Sequence, residues 1–519
     1  MKNRNVRSPA LYLFIALSTV SVVRAVAQKN KPNILVIYTD DHRYTGIHAL
    51  GKQQVKTPHM DRLVENGISF SNTYLMGAFT GATCTPSRAM LLTGRDLFQL
   101  DGIGKNIPTD HTTMGEAFKK AGYNTHMVGK WDQDRHSLVR SFDTVERVMG
   151  LGLYLEDHFR MPLWDYSKGK DLHNDQAYLL GYDTQGKLVE KPMTHQYKRG
   201  PFGTEEDGPH TSEVFAEKAS EYIEGYTSKK PFFMYLAFHA PHDPRQAPKA
   251  YVERYPPEKM LLPPSYASQH PFDNGHLYLR DEKLAEWPRT PQIVQKELAA
   301  YYAIITHLDA QIGKVISALK KSGQYENTLI ILAGDSGLAV GNHGLLGKQN
   351  VYDEDGIHVP FILSGGAIKD KGRKIDALSY LHDIFPTLCD LAQIEVPESV
   401  TGKSLLPVIA GKEKETRAYT YHAYLHFQRA FRQGDYKLIE YVRADAYDAK
   451  TKMESKKGSR VTQLFNIKKD PWETFDLVGF PEYQALLESM RKEMKQAAMD
   501  HGDDNVRMGL PYGFWNYFD

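Results

Sequence analysis

The segment NILVIYTDD, residues 33–41, decides the fold class of this chain. Its first seven residues form a short apolar run rich in Ile and Val, which is typical of a buried parallel strand. Two carboxylates, Asp40 and Asp41, follow the run at once. A second run, NTLIILAGD at residues 327–335, also leads straight into an acid, Asp335. Open α/β sheets place their sites beyond such strand ends, so all three acids are candidate site residues.

Strand-like and helix-like segments alternate outward from this run. The apolar spacing indicates helices at residues 57–67, 213–226 and 296–323. The run PFFMYLAFHA, residues 231–240, indicates a further buried strand, and residues 112–130 indicate a helix, a Gly and a strand. The alternation predicts an α/β fold with helices on both faces of the sheet.

The texture of the sequence changes after about Lys412. Residues 436–442 and 460–467 resemble antiparallel strands, and residues 482–499 resemble a final helix. We therefore predict a catalytic domain at residues 28–411 and a smaller α+β domain at residues 412–519.

The first 27 residues have the pattern of a cleaved secretory signal. A basic start precedes an apolar run at residues 10–23 and a small-residue site at residues 25–27. The alternative is a membrane anchor, but the run is short for a span of about 20 residues. We expect export without a membrane anchor, and the lack of Asn-x-Ser/Thr sequons favours a bacterial periplasm.

Charge and cysteine content exclude several classes of protein. The chain has 64 Lys and Arg against 63 Asp and Glu, a net charge of +1, which offers no argument for a nucleic-acid or membrane-surface partner. Two cysteines do not make a disulfide framework. One of them, Cys389, stands in an apolar helical stretch and is expected to be a core thiol.

Polar residues near strand ends offer two kinds of chemistry. Carboxylates and the Ser336 hydroxyl are hard oxygen ligands that suit Ca²⁺ or Mg²⁺, although such residues also occur in solvated turns and helix caps. Lys130, His242 and Lys348 would bind an anion if they converged. Taken singly, each is as well explained as a surface charge or a satisfied histidine.

The segment CTPSRAMLLTGR, residues 84–95, places a cysteine at a helix start. Pro86 suits the first turn of a helix, and Arg88 lies one turn after Cys84 on the same face. A nucleophilic cysteine with a nearby base and a buried structural thiol are both compatible with this pattern.

These motifs resemble those of the type I, formylglycine-dependent sulfatases of the alkaline-phosphatase-like superfamily. Residues 84–95 match the signature C-x-P-S-R-x-x-x-L-T-G-R, and the early Asp-Asp pair, GYNTHMVGKW, FFMYLAFHAPHDP and GDSGLAVGNHGLLGKQN follow in the family's order. The similarity covers essentially the whole mature chain. It implies a mixed central sheet sandwiched by helices, with the smaller α+β domain at the C-terminus.

The resemblance also implies the site chemistry. A maturation enzyme would oxidise Cys84 to formylglycine, and an oxygen of the hydrated aldehyde would attack the sulfur of a sulfate ester. The implied Ca²⁺ ligands, with Mg²⁺ as an alternative ion, are Asp40, Asp41, residue 84, Asp335 and Ser336. The implied catalytic set is Cys84, Arg88, Lys130, His242 and Lys348: Arg88 would hold the hydrate, the other three cationic or imidazole groups would bind the sulfate, and His242 or Lys348 would protonate the leaving oxygen.

Three positions depart from the family pattern. Ser336 replaces the usual Asn or His, and its hydroxyl would bind Ca²⁺ more weakly or give way to water. Asp132 replaces the His of G-K-W-H, and it would repel a sulfate, turn away or act as a base. His358 replaces an Arg before the Val-Pro pair, which is a milder change.

The expected substrate is a sulfated saccharide, cleaved at a 2-, 3-, 4- or 6-O-sulfate. Arg280 and Asp281, in the irregular segment between residues 255 and 291, are predicted sugar contacts on one wall of the pocket. The other wall is predicted to include His426, Arg429 and Arg432.

Two other functions remain open on the sequence. One is a phosphonate or phosphodiester hydrolase of the same superfamily, because the anion pocket suits either group. The other is a non-catalytic protein that binds sulfated glycans, a hypothesis that Asp132 and Ser336 motivate.

Overall fold

The computed structural model describes residues 31–155, 157–167, 172–193, 203–444, 447–448, 453–454, 458–503 and 514–515. The signal peptide predicted at residues 1–27 lies outside the described residues. The segment Pro32–Asp519 forms one compact unit. Among the described residues, no helix has both the length and the apolar character that crossing a bilayer requires.

A mixed central sheet organises the molecule. Within the described residues it has nine strands: β1 (Asn33–Thr39), β2 (Ile68–Phe70), β3 (Asn124–Lys130), β4 (Thr144–Met149), β5 (Trp164–Ser167), β6 (Phe232–Ala237), β7 (Thr328–Gly334), β8 (Phe361–Ser364) and β9 (Arg373–Ile375). Their spatial order is β9-β2-β8-β7-β1-β6-β3-β4-β5. Strands β7, β1, β6, β3 and β4 run parallel to one another, whereas β8 is antiparallel to β7 and β5 is antiparallel to β4. The strands predicted at residues 33–39 and 327–334 therefore lie side by side.

The sheet is covered by helices on both faces, which confirms the predicted fold class. The helices of seven or more described residues are α1 (Pro58–Glu65), α2 (Cys84–Thr93), α3 (Met114–Lys120), α4 (Arg135–Ser141), α5 (Thr211–Glu224), α6 (Pro291–Lys321), α7 (Ile384–Leu391) and α8 (Gln484–His501). Alternate residues of β1 point to opposite faces, so Val36 packs into a core that includes Met90 of α2, and Leu35 into a core that includes Ile305 of α6. Both faces of the strand are buried, which explains its unbroken apolar run.

A second sheet is built mainly from the C-terminal part of the chain. Strands β10 (Tyr419–Tyr424), β11 (Gln428–Gln433), β12 (Tyr436–Ala444) and β13 (Gly458–Asn466) are antiparallel, as the sequence predicts for two of them. A two-residue strand, Gly77–Ala78, adds to the edge of β10. Because residues from both parts of the chain share this sheet, the domain boundary placed at residue 411 stays a prediction.

The second cysteine lies where the sequence places it. Cys389 is part of α7 and is fully buried in the core, which confirms it as a core thiol. Burial raises the pKa of Cys389 to about 12, so its thiol stays protonated near neutral pH.

Candidate active site

The carboxyl ends of four adjacent strands meet at one edge of the central sheet. Asp40 and Asp41 follow β1, and Asp335 follows β7 beside it. Lys130 is the last residue of β3, and His242 stands in the loop after β6. Parallel pairing of these strands brings the five side chains to the same edge, as strand ends in an open α/β sheet require.

Helix α2 brings Cys84 to this edge. The helix begins at Cys84 and ends at Gly94, which caps it in the left-handed conformation at a φ of 64°. All ten residues of the helix are buried. The Sγ of Cys84 lies 3.2 Å from the Nζ of Lys348. Burial raises the pKa of the Cys84 thiol, and the Asp40 carboxylate adds to the rise. The unmodified side chain is therefore a protonated thiol, which is a poor nucleophile.

A buried network of opposite charges surrounds Cys84. An Nη of Arg88 lies 3.2 Å from Asp335 and 3.5 Å from Asp40, and its other Nη donates to the carbonyl of Lys130. The Nζ of Lys130 lies 2.5 Å from Oδ2 of Asp40, and Lys348 pairs with Asp41. Each cation therefore holds a carboxylate in place, and burial removes the screening that weakens such pairs at a surface.

The lysines and the histidine differ in charge. Although burial opposes it, the carboxylates of Asp132 and Asp40 raise the pKa of Lys130, and that of Asp41 raises the pKa of Lys348. Burial, with the Lys348 ammonium, holds the pKa of His242 well below its usual value. The two lysines are therefore cations at neutral pH, whereas His242 is a neutral imidazole.

The carboxylates fit a divalent cation. Oδ1 of Asp40 and Oδ2 of Asp41 are buried without a hydrogen-bond partner. Burial raises the pKa of Asp41 to about 7, and the neighbouring Asp40 contributes. Single ligand atoms of Asp40, Asp41, Cys84 and His242 lie within 4.8 Å of one another. Crowded carboxylates with free lone pairs are the donor set that a hard cation such as Ca²⁺ or Mg²⁺ satisfies.

Two further predicted ligands border this set. The backbone N–H of Asp41 donates to Oδ1 of Asp335 over 2.8 Å, and the Ser336 hydroxyl donates to Oδ1 of Asp41 over 3.1 Å. The Ser336 hydroxyl thus lies among the acids. The structure also brings His242 to the acids, with its Nε2 3.8 Å from Asp41, although the sequence predicts it as a sulfate contact and a candidate proton donor and not as a metal ligand.

A pocket of about 480 Å³ opens above Cys84. Its described lining residues are Thr80, Gly81, Ala82, Cys84, Thr85, Lys130, Asp132, Tyr154, His242, Leu279, Arg280, Asp281, Lys348 and Gln349. Arg280 and Asp281 thus lie on the predicted wall. Arg280 is held by Asp243 over 2.9 Å, and Gln349 donates to Asp281 over 2.7 Å.

The prediction that His426, Arg429 and Arg432 line the other wall of the pocket is wrong. Arg429 is buried and pairs with Asp503 at 2.6 Å, so it is committed to the packing of the C-terminal region. Arg432 lies over the ring of Tyr74 and lines a separate cavity. Neither these arginines nor His426 belongs to the described lining of the pocket above Cys84. Arg429 and Arg432 contact different parts of the molecule because alternate residues of β11 face opposite sides of its sheet.

Asp132 faces the pocket and does not turn away from it. Its carboxylate lies 3.5 Å from the Nζ of Lys130, and 18% of its side chain is exposed. The residue has a φ of 72°, a left-handed conformation that Asp tolerates better than most residues. Lys130 thus stands between Asp132 and Asp40. His358, the third departure, stacks on Tyr44 and lines the other cavity.

Sequence reasoning missed three residues of the site. The Tyr154 hydroxyl bonds to Nε2 of His239 over 2.7 Å, and Nδ1 of His239 lies 3.3 Å from Oδ2 of Asp40. Gln349 bonds to the carbonyl of Gly81 and to Asp281. The position of His239 at the end of β6 was a usable signal, whereas nothing in the sequence around Tyr154 sets it apart.

Comparisons with known proteins agree with this geometry. The family model described as Sulfatase matches residues 32–394, and the model described as N-sulphoglucosamine sulphohydrolase, C-terminal, matches residues 341–500. The ulvan-active sulfatase of Formosa agariphila is 28% identical over 97% of this chain and 89% of its own. The N-acetylglucosamine-6-O-sulfatase of Bacteroides thetaiotaomicron is 26% identical over 94% of this chain and 91% of its own.

Solved structures share the fold. That of BT4656 in complex with its substrate D-glucosamine-2-N,6-O-disulfate superposes with a TM-score of 0.67 at 21% identity, covering 92% of this chain and 99% of that one. A phosphonate monoester hydrolase from Silicibacter pomeroyi has a TM-score of 0.64 at 22% identity, covering 91% and 96%. Because a family model spans more than half of its length, the chain belongs to the sulfatase family and is a sulfuric ester hydrolase.

Proposed function

We propose that this enzyme removes an O-sulfate from a sulfated carbohydrate, using a formylglycine made from Cys84 and one bound Ca²⁺. The observation that carries the proposal is the position of Cys84, at a helix start between Lys348 and the carboxylates and at the floor of the pocket. As a thiol, Cys84 is buried and protonated, so its conversion explains why this residue stands there.

The proposed Ca²⁺ is matched by a set of residues around Cys84. Asp40, Asp41 and residue 84 would hold the Ca²⁺, with Asp335, Ser336 and His242 beside them. When bound, the cation supplies positive charge that favours an ionised oxygen on the formylglycine side chain, and that oxygen is the nucleophile. Mg²⁺ is the alternative ion, because it takes the same oxygen ligands.

The residues of the chain bind and neutralise the sulfate. Lys130 and Lys348 are protonated and line the pocket beside Cys84, so their ammonium groups offset the negative charge that develops on the sulfate oxygens. Lys348 is the better proton donor for the leaving oxygen, since His242 is neutral and its Nδ1 faces the carbonyl of Asp243 at 2.7 Å. Arg88 positions Asp40 and Asp335 through its ion pairs with both carboxylates.

A saccharide suits the outer part of the pocket. Asp132, Arg280, Asp281 and Gln349 present carboxylates, a guanidinium and an amide near Cys84, and such groups hydrogen-bond to sugar hydroxyls. The relatives from Formosa agariphila and Bacteroides thetaiotaomicron are named an ulvan-active sulfatase and an N-acetylglucosamine-6-O-sulfatase. The sulfate position remains part of the test.

The rival functions make different predictions. A phosphonate or phosphodiester hydrolase is supported by the shared fold of the Silicibacter pomeroyi enzyme, and it would turn over a phosphate diester faster than the matched sulfate ester. A non-catalytic glycan-binding protein would bind sulfated sugars without releasing sulfate, even with Cys84 converted.

We further propose that the chain is exported by residues 1–27 to a bacterial periplasm and is matured by a formylglycine-generating enzyme. The test starts with protein produced together with that enzyme, from which the tryptic peptide of residues 63–88 is weighed. The mass of formylglycine or its hydrate supports the proposal, and an unconverted thiol beside a converted control sulfatase contradicts it. Sulfate release is then measured on a panel of 2-, 3-, 4- and 6-O-sulfated sugars and on matched phosphate esters.

A further inference from the structure

An exposed aromatic residue lies next in the chain to residues that line the catalytic pocket. Tyr278 precedes Leu279 and Arg280, both of which line the pocket, and its own side chain is 73% exposed. Its ring lies 6.0 Å from that of Trp287, and the guanidinium of Arg289 covers Trp287 at 4.0 Å from the ring centre. The chain next to the lining residues Leu279 and Arg280 therefore carries an aromatic pair whose outer member faces solvent.

The backbone on the N-terminal side of Tyr278 is firmly held. Gly275 has a φ of 104°, and a Cβ there would lie 2.3 Å from the ring of Phe427, so the segment packs closely against the second sheet. Nδ1 of His276 bonds to the Tyr424 hydroxyl over 2.7 Å.

The backbone on the C-terminal side of Tyr278 is held as well. Arg280 pairs with Asp243, and the N–H groups of Leu346 and Gly347 donate to the Glu282 carboxylate. Anchored on both sides, the segment presents Tyr278 in a fixed place, and the exposure of the ring does not result from a loose loop.

An exposed aromatic ring at a fixed position beside the catalytic pocket can bind the apolar face of a sugar. Its flat apolar face matches the C–H face of a sugar ring, and aromatic side chains provide contact area at a low cost in conformational entropy. Inside the pocket, by contrast, the lining near Cys84 is rich in charged and polar groups that suit sulfate and hydroxyls.

We propose that Tyr278, supported by Trp287, stacks against the sugar that is glycosidically linked to the sulfated one. This inference rests on the proposed carbohydrate function and narrows it: the substrate is an oligosaccharide that carries its sulfate on a terminal unit. The sulfated unit enters the pocket, and the next unit lies on the aromatic pair beside the pocket.

The test compares sugars of two lengths on the matured enzyme. The sulfated monosaccharide turned over fastest in the panel is compared with a disaccharide that carries the same unit at its non-reducing end. A stacking contact of ordinary strength predicts a kcat/KM for the disaccharide about three- to tenfold higher, expressed mainly in KM. Tyr278→Ala should remove this advantage, and Tyr278→Phe should keep it because the ring and not the hydroxyl makes the contact.

The protein offers a matched control. Phe475 is 58% exposed and lies 5.5 Å from Phe480, but unlike Tyr278 it is not next in the chain to a residue that lines the pocket, so Phe475→Ala should leave the ratio of the two kcat/KM values unchanged. Equal kcat/KM values for the two sugars, or equal losses for both in Tyr278→Ala, would overturn the inference alone. Turnover of 4-nitrophenyl sulfate with no turnover of any saccharide would instead overturn the proposed carbohydrate function.

Discussion

Two buried clusters of charged side chains in this molecule are similar in composition but differ in how their carboxylate oxygens are paired. The catalytic cluster joins Asp40, Asp41 and Asp335 to Arg88, Lys130 and Lys348. The second, which we call the structural cluster, joins Asp353 and Glu473 to Lys437, at 2.5 and 2.7 Å. Tyr74 also donates to Asp353, and the N–H of Asp353 donates to Glu473.

The difference lies in the carboxylate oxygens. In the catalytic cluster, Oδ1 of Asp40 and Oδ2 of Asp41 are buried without a hydrogen-bond partner. In the structural cluster, Oε1 of Glu473 also lacks a hydrogen-bond partner, but it lies 2.7 Å from the Lys437 ammonium of the second sheet. Asp353 faces the same ammonium and, at 3.8 Å, Arg432. Cavity size does not separate them, because the cavity beside Asp353, of about 580 Å³, is the larger of the two. Open coordination sites, rather than buried charge or cavity volume, mark the place of chemistry.

The largest expected effect concerns Cys84. Cys84→Ala in a maturation-competent host should lower kcat by at least about 10⁴-fold, because it removes the residue that we propose becomes the nucleophile. Cys389→Ala is the matched control, since it removes the other buried thiol. It should keep kcat and lose about 1 kcal/mol of unfolding free energy. Full activity in the Cys84 variant would rule out the mechanism.

Removal of the metal should come next. Dialysis against a chelator should lower kcat/KM by on the order of 10³-fold, because the carboxylates of the catalytic cluster would lose the cation that we propose they bind. The midpoint of thermal unfolding should fall with it, and added Ca²⁺ should restore both. A Lys437→Met variant should show the same loss on chelation, since the structural cluster has no role in holding the ion.

Matched lysine substitutions separate the clusters most directly. Lys348→Ala should lower kcat/KM by about 10² to 10³-fold, as the loss of a group that stabilises the transition state does. Lys437→Ala should instead cost about 3 kcal/mol of unfolding free energy, because it leaves the buried Asp353 and Glu473 without the ammonium that lies within 2.7 Å of both. Steady-state kinetics and denaturant titration of both variants give the two readouts.

The lysine comparison has a clear contradictory outcome. If the folded Lys437→Ala protein lost as much kcat/KM as Lys348→Ala, the division between a catalytic and a structural cluster would be wrong.

The smallest effect is a pH dependence in the structural cluster. Burial raises the pKa of Glu473 to about 7, above its ordinary value of 4.5, so the folded protein holds a proton there that the unfolded chain releases. Stability contributed by this proton is present below about pH 4.5 and is lost as pH rises to about 7. Glu473→Gln keeps a neutral side chain, so its stability relative to wild type should rise by about 2 to 3 kcal/mol between pH 5 and pH 8.

This pH effect is read from urea unfolding at the two pH values. A constant difference between wild type and Glu473→Gln across this range would show that Glu473 is ionised in the folded protein throughout. Asp435→Asn is a control, since that carboxylate is half exposed and pairs with Lys468 at the surface.

Much of the fold could be predicted from the sequence because its signals are local. The apolar run of residues 33–39 and the acids after it indicate a buried strand and a strand-end site, and the structure shows both. The antiparallel strands of the second sheet were equally readable, because their hydrophobic pattern is contained in single segments. Membership of Gly77–Ala78 in that sheet was not readable, since two residues carry no periodicity.

Within the site, prediction succeeded for residues that belong to a sequence motif and failed for residues whose position depends on tertiary packing. Arg429 and Arg432 were expected at the pocket, but Asp503 and the Tyr74 ring take them elsewhere. Tyr154 entered the site without any sequence signal.

The sequence by itself determined the α/β class, the family through residues 84–95, and the order in which acids, lysines and imidazoles follow the strands. Only the tertiary structure decided which oxygens stay unpaired, that Asp132 faces Lys130, and that Tyr278 stands exposed beside residues that line the pocket. The physical reason is range. Strand and helix periodicity depends on neighbours in the chain, whereas pairing and exposure depend on groups that folding brings together from distant positions, such as Asp41 and Lys348.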